Sequence, residues 1–155
     1  MRSPAGEVDG IYRVDSLDQQ EPVRLTVTPF PPGNDFGGGD IPGDVSPDGQ
    51  RFVFVRSIPF PPPDNPHASQ SGALFVGNVD GTGVHRITRW GLPNSHDTGF
   101  ESWGSHGRGI VFGTEAGGIA TIEPTGRALR HVDLDIPPNS YAYGPRSVGL
   151  KGPTG

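Results

Sequence analysis

Two stretches of this chain lie on one another without a gap. Leu74 to Thr88 and Ile119 to Asp133 each read strand, turn, strand, and their turn glycines, Gly81 and Gly126, coincide. A third stretch, Ile11 to Thr26, joins them with one extra residue. Asp80-Gly81 between apolar segments is a strong hairpin signal, because glycine takes the positive φ that tight turns demand. Two of the hairpins follow a turn and an apolar strand. Ser46-Pro47-Asp48-Gly49 leads into Phe52-Val53-Phe54-Val55, and Glu101 to Gly107 leads into Ile110-Val111-Phe112. Pro47 presets φ, Asp48 offers local hydrogen bonds and Gly49 accepts positive φ. A supersecondary unit that recurs in this way predicts stacked or radial units that cannot bury their faces alone.

Composition narrows the partners. The chain of 155 residues holds 25 glycines and 18 prolines, which gather between the apolar bursts, where turns belong. It therefore reads as an all-β domain with long loops. Twelve Lys and Arg against 17 Asp and Glu give a net charge of -5. With no basic stripe to meet phosphates, nucleic acid is not an expected partner. No apolar run approaches the roughly 20 residues of a membrane span, so membrane insertion is not expected. The absence of cysteine excludes disulfides and thiolate metal sites.

Taken in order, residues 1–43 read as a partial repeat, a hairpin, with a Gly/Pro-rich loop. Residues 44–99 form the best-preserved repeat and 100–140 a second one. Residues 141–155 look like a truncated repeat start or a disordered tail. In 29–43, four prolines and the run Gly37-Gly38-Gly39 predict a surface loop that no strand ladder crosses. These glycines do not cradle phosphate, since no Lys-Ser/Thr and no helix follow. Phe52 to Val55 is apolar on both faces, which predicts an inner strand. Ser57 to Gly72 carries five prolines and predicts a long loop of polyproline character, a stiff spacer.

The sequence from Ser46-Pro47-Asp48-Gly49 to Arg86-Ile87-Thr88 resembles the TolB-type β-propeller repeat, which is WD-repeat-like in architecture. The resemblance covers Asp44–Val55 and Leu74–Thr88. It returns, altered, at Glu101–Phe112 and Ile119–Val132, where His106-Gly107 replaces Asp-Gly. Ile11–Thr26 keeps only the hairpin half. The resemblance implies four-stranded blades around a central channel. The expected fold is thus all-β, a partial β-propeller of about two complete four-stranded blades plus pieces of two more. It also implies that a tryptophan before the turn packs between blades. Trp103 holds that place in one copy and Val45 in the preceding one, which predicts looser packing at Val45. Because propellers have at least about four blades, the expectation is a fragment of a longer propeller, or a ring closed by head-to-tail self-association. A TolB-like protein would be periplasmic or in the cell envelope. Residues Met1 to Gly6 show no apolar signal region, so the chain as it stands reads as cytoplasmic.

Residues that carry chemistry are sparse. Ser95-His96-Asp97 and Ser105-His106 hold triad residue types, but neighbours in one loop point apart and no Gly-x-Ser-x-Gly elbow exists. His67, His85, His96, His106 and His131 lie one per segment, without metal-ligand spacing. No catalytic residue, cofactor or metal site is expected. Trp90, Phe100 and Arg89 are the candidate binding residues, being hot-spot types in loops at a blade end. Ser46, Pro47, Asp48, Gly49, Asp80, Gly81 and Gly126 are assigned to turns, and Trp103 to packing between blades. The expected function is a non-catalytic module that binds a protein or peptide at blade-end loops. The alternative is a piece of the propeller domain of a larger enzyme, such as a propeller-capped serine peptidase.

Overall fold

The computed structural model describes residues 10–15, 21–28, 38–58, 71–93, 101–114 and 118–132. These residues are all-β and contain no helix. The strands are β1 (Tyr12–Arg13), β2 (Val23–Arg24), β3 (Gly39–Val45), β4 (Arg51–Ile58) and β5 (Ser71–Asn78), then β6 (His85–Arg86), β7 (Ser102–Trp103), β8 (Ile110–Gly113), β9 (Ile119–Ile122) and β10 (Arg130–Val132). They form three antiparallel sheets: the pair β1–β2, the sheet β3-β4-β5-β6 and the sheet β7-β8-β9-β10. Strand order follows chain order in each, as expected of consecutive hairpins.

The internal repeat extends to individual hydrogen bonds. In the first two hairpins the amides of Leu25 and Ile87 donate to the carbonyls of Ile11 and Leu74, both at 2.8 Å. The amides of Ile11 and Leu74 in turn donate to Oγ1 of Thr26 and Thr88, both at 2.9 Å. The second and third hairpins share their turns: Gly81 donates to Asn78 and Gly126 to Glu123, each at 2.8 Å. The turns that open the two four-stranded sheets also match. Ser46 donates to Arg51 and Gly49 to Ser46, as Gly104 does to Gly109 and Gly107 to Gly104. Gly49 and Gly107 have φ of 68° and 65°, a region in which a side chain costs roughly 1–2 kcal/mol.

Two cores result. Val53, Val55, Leu74, Val76 and Ile87 of the β3–β6 sheet meet Trp103, Ile110, Phe112, Ala120 and Ile122 of the β7–β10 sheet. On the opposite face of the β3–β6 sheet, Phe52 and Phe54 meet Ile11 and Leu25 of the first hairpin, with Phe75 and Val84 beside them. Strand β4 therefore buries alternate side chains on both faces, and its run of four apolar residues is an inner strand.

The Gly/Pro-rich loop ends earlier than the sequence predicts. Gly39 to Gly43 belong to β3, with Ile41 opposite Val55 and Pro42 opposite Phe54. Pro42 is tolerated because β3 lies at the sheet edge and the register shifts between Pro42 and Val45; proline within a sheet is confined to such edges and bulges. The central loop is likewise shorter at both ends, since Ser57 and Ile58 pair with Gly72 and Ser71. Its prolines at 59–66 lie outside the described residues, as do Phe100 and residues 141–155.

Candidate functional site

A ladder of charged and aromatic side chains crosses the β3–β6 sheet. At one end Asp40 on β3 holds Arg56 on β4 with two bonds, Nε to Oδ1 at 2.6 Å and Nη2 to Oδ2 at 2.8 Å. The Asp40 side chain has no exposed surface and that of Arg56 is 15% exposed. Such a two-pronged pair fixes the guanidinium plane. Arg56 also donates to the Val27 carbonyl at 3.2 Å, tying the end of the first hairpin to the sheet. Its guanidinium lies 5.6 Å from the Phe54 ring centroid and 4.9 Å from that of Phe75. Both are within cation–π range.

The ladder continues to the other edge. Phe52 stacks on Phe54 at 5.3 Å and Phe54 on Phe75 at 5.4 Å. Trp90 meets Phe75 edge-on, at 6.0 Å and 61°. Arg86, paired with Phe75 across β5 and β6, carries its guanidinium 5.5 Å over the Trp90 ring. Trp90 sits in the turn after β6, which is anchored by the Gly91 amide donating to Gly72. Trp90 is half-buried, whereas Arg86 and Arg89 are exposed. Trp90 thus comes together with Arg86, and Arg89 lies beside it in the chain. The signal for Arg86 was its register opposite Phe75, which a sequence without pairing partners does not reveal.

The same register position distinguishes the three units. Tyr12 faces Arg24 in the first, Phe75 faces Arg86 in the second and Ala120 faces His131 in the third. The aromatic–arginine pair is thus present in two units and absent from the third. The pairing also shows that His131 matches Arg86, while His85 matches Arg130. The histidines are therefore one residue out of step. His85 is exposed, with Nδ1 2.8 Å from the Gly83 carbonyl and Nε2 3.2 Å from the Pro124 carbonyl of the next hairpin turn.

The turn residues act locally. Asp48 Oδ1 accepts from the Ser46 hydroxyl at 2.6 Å and from the Gln50 amide at 3.0 Å. The Ser46 hydroxyl bond, followed by the Gln50 amide bond, holds the Asp48 carboxyl below its ordinary 3.8. Asp80 Oδ1 accepts from the Thr82 hydroxyl at 2.6 Å and the Thr82 amide at 2.9 Å, with the same effect. Pro47 occupies the second position of its turn. Gly81 and Gly126 have φ of 86° and 80°.

Trp103 lies between the two four-stranded sheets and is 4% exposed. Its amide donates to Asp44 Oδ2 at 3.0 Å and its indole Nε1 to the Asp44 carbonyl at 3.2 Å. The Arg51 guanidinium sits 4.8 Å from its ring. Val45, at the corresponding place in the β3–β6 sheet, is 52% exposed. Sequence reasoning missed Asp44 and the buried Glu101, whose side chain packs so closely on Gly43 that a Cβ there would collide with it.

Catalytic geometry is not assembled among the described residues. Ser105 Oγ lies 3.1 Å from His106 Nδ1, but the two are sequence neighbours exposed on a turn. Ser95-His96-Asp97 lies outside the described residues. Among the described residues, no three His, Asp or Glu side chains converge as a metal site, and no helix is long and apolar enough to cross a membrane. Comparison with family models, characterised proteins and solved structures finds no match for this chain.

Proposed function

We propose that the chain is part of a TolB-type β-propeller and serves as a non-catalytic module that binds a protein or peptide through Trp90, Arg86 and Arg89. The observation that carries the reading is the Phe75–Trp90–Arg86 cluster at the sheet edge, with Arg89 exposed beside it. Tryptophan and arginine are the residue types that dominate binding energy at interfaces. A half-buried indole held by Phe75 loses little freedom on binding, which favours affinity. Two arginines beside it suit a peptide that places a carboxylate next to an apolar side chain. The propeller part of the reading is supported by hydrogen bonds that recur between the first and second hairpins and others that recur between the second and third, and by the meeting of β3 with β7.

The test is selection of a displayed peptide library on the full chain, followed by direct binding measurements on the enriched peptides. Peptides should share an acidic residue near an apolar one, and Trp90→Ala should weaken them by about tenfold or more. Enriched peptides that bind the Trp90→Ala and Arg86→Ala variants as well as the unaltered chain would overturn the assignment.

A further inference from the structure

The interface between the first hairpin and the β3–β6 sheet is built like the interface between the two four-stranded sheets, with apolar residues at matching places and Val45 where the other has Trp103. Ile11 and Leu25 stand where Leu74 and Ile87 stand in the other, as their shared hydrogen bonds show. Phe52 and Phe54 stand where Ile110 and Phe112 stand, because Val45 pairs with Phe52 as Trp103 pairs with Ile110. In one interface the large Trp103 indole completes the apolar cluster. In the other the position is Val45, half-exposed, and a cleft of about 180 Å³ remains. Ile11, Leu25, Val45, Phe52 and Val79 line it, and Arg13 and Asp44 border it.

We infer that this cleft is a binding site for a planar aromatic ring of indole size. Three features carry the inference. Its volume exceeds the roughly 150 Å³ at which an apolar protein cavity holds a benzene ring. Its lining is aliphatic and aromatic, with few polar atoms to hold water in place. The fold itself supplies an indole at the matching place in the neighbouring interface, where an arginine lies over the ring and a backbone carbonyl accepts from its N–H. The cleft offers a cation of the same kind at its border. Arg13, held by Asp15 and the Val79 carbonyl, supplies a cation for a ring face. This site shares Phe52 with the aromatic ladder but none of Trp90, Arg86 and Arg89, and does not depend on the peptide-binding reading.

Indole itself is the first probe, added to the isotopically labelled full chain and followed by amide NMR shifts. Saturable shifts at Ile11, Leu25, Val45 and Val79 are expected at about millimolar indole. Val45→Trp, which places a tethered ring in the cleft, should weaken indole binding by about tenfold or more. Val45→Ala removes atoms from the mouth, should keep the fold, and should bind indole at least as well as the unaltered chain. N-acetyl-tryptophanamide separates the two sources of such a ring. Shifts with both probes assign the site to a side chain of a partner, and shifts with indole alone assign it to a free small molecule. The absence of saturable shifts in the unaltered chain overturns the inference. So do shifts that centre elsewhere, or shifts that survive in a folded Val45→Trp variant.

Discussion

Trp103 and Asp44 join the two four-stranded sheets through two bonds in opposite chemical senses: one uses the indole and a backbone carbonyl, the other a backbone amide and a carboxylate. The Asp44 side chain accepts at this junction without belonging to the apolar core. Trp103→Ala is expected to cost about 3–5 kcal/mol, since it empties an indole-sized volume between Val53 and Ile110. Trp103→Phe keeps most of the packing and should cost less. Asp44→Ala should cost about 1–2 kcal/mol, from the Trp103 and Val45 amides left without their acceptor. Urea denaturation of the three variants measures the series, and an Asp44→Ala effect as large as that of Trp103→Ala would contradict this ranking.

Gly81 and Gly126 touch the preceding unit in the same way. A Cβ at Gly81 would lie 3.3 Å from the Arg24 and Leu25 carbonyl oxygens, and one at Gly126 would lie 3.0 Å from that of Ile87. Leu25 and Ile87 are themselves equivalent. Each turn thus rests its glycine on the closing strand of the hairpin before it. Gly81→Ala and Gly126→Ala should each cost at least about 1–2 kcal/mol for the left-handed backbone alone. Gly126→Ala should be the worse of the two, because its contact is tighter. Thermal denaturation would show this as the lower midpoint.

Arg56 should depend on Asp40 more than surface arginines depend on their partners. Removing Asp40 leaves the guanidinium against Phe54 and Phe75 with its charge uncompensated. Asp40→Ala is expected to destabilise by about 3 kcal/mol, while Asp15→Ala, at the exposed pair with Arg13, should change stability by less than about 1 kcal/mol. Chemical denaturation of both variants checks the contrast. Arg56→Met, which removes the charge but keeps the stem over the rings, should recover part of the loss in an Asp40→Ala background.

Acid should loosen the turns at a definite point. The folded carboxyls of Asp48 and Asp80 lie below the ordinary 3.8 because each accepts hydroxyl and amide hydrogen bonds. A lowered folded value means that the ionised form stabilises the turn. That contribution is complete above the unfolded value and is lost as pH falls through the folded value, in the window below about 3.8. Ser46→Ala removes the leading cause at Asp48 and should move its titration up towards 3.8 while leaving Asp80 unchanged. Carboxyl NMR titration of the unaltered and variant chains would show whether the two sites separate.

Much of the architecture was legible because turn chemistry is local. Glycine at positive φ and Asp48 bonding within its own turn leave marks on adjacent residues. The inner position of β4 was legible from four consecutive apolar residues. The edge strand β3 was hidden, because Pro42 and Gly43 read as loop unless the free edge and the register shift beside them are known. The ladder was only partly legible. Trp90 and Arg89 stand out as residue types, whereas Arg56 and Arg86 join them through strand pairing, opposite Asp40 and Phe75. The role of Asp40 emerges only from its place opposite Arg56.

The seating of each turn glycine on the closing strand of the preceding hairpin couples neighbouring units: hairpin two rests on the backbone of Leu25, and hairpin three on that of Ile87. Among the described residues, the β3–β6 sheet alone receives a neighbour on both faces. Its inner amides, on β4 and β5, should therefore exchange with solvent deuterium only when the whole domain opens, whereas those of β1–β2 and β10 escape by local fraying. A chain of this kind comes apart from its ends inward, and its middle sheet is the last part to let go.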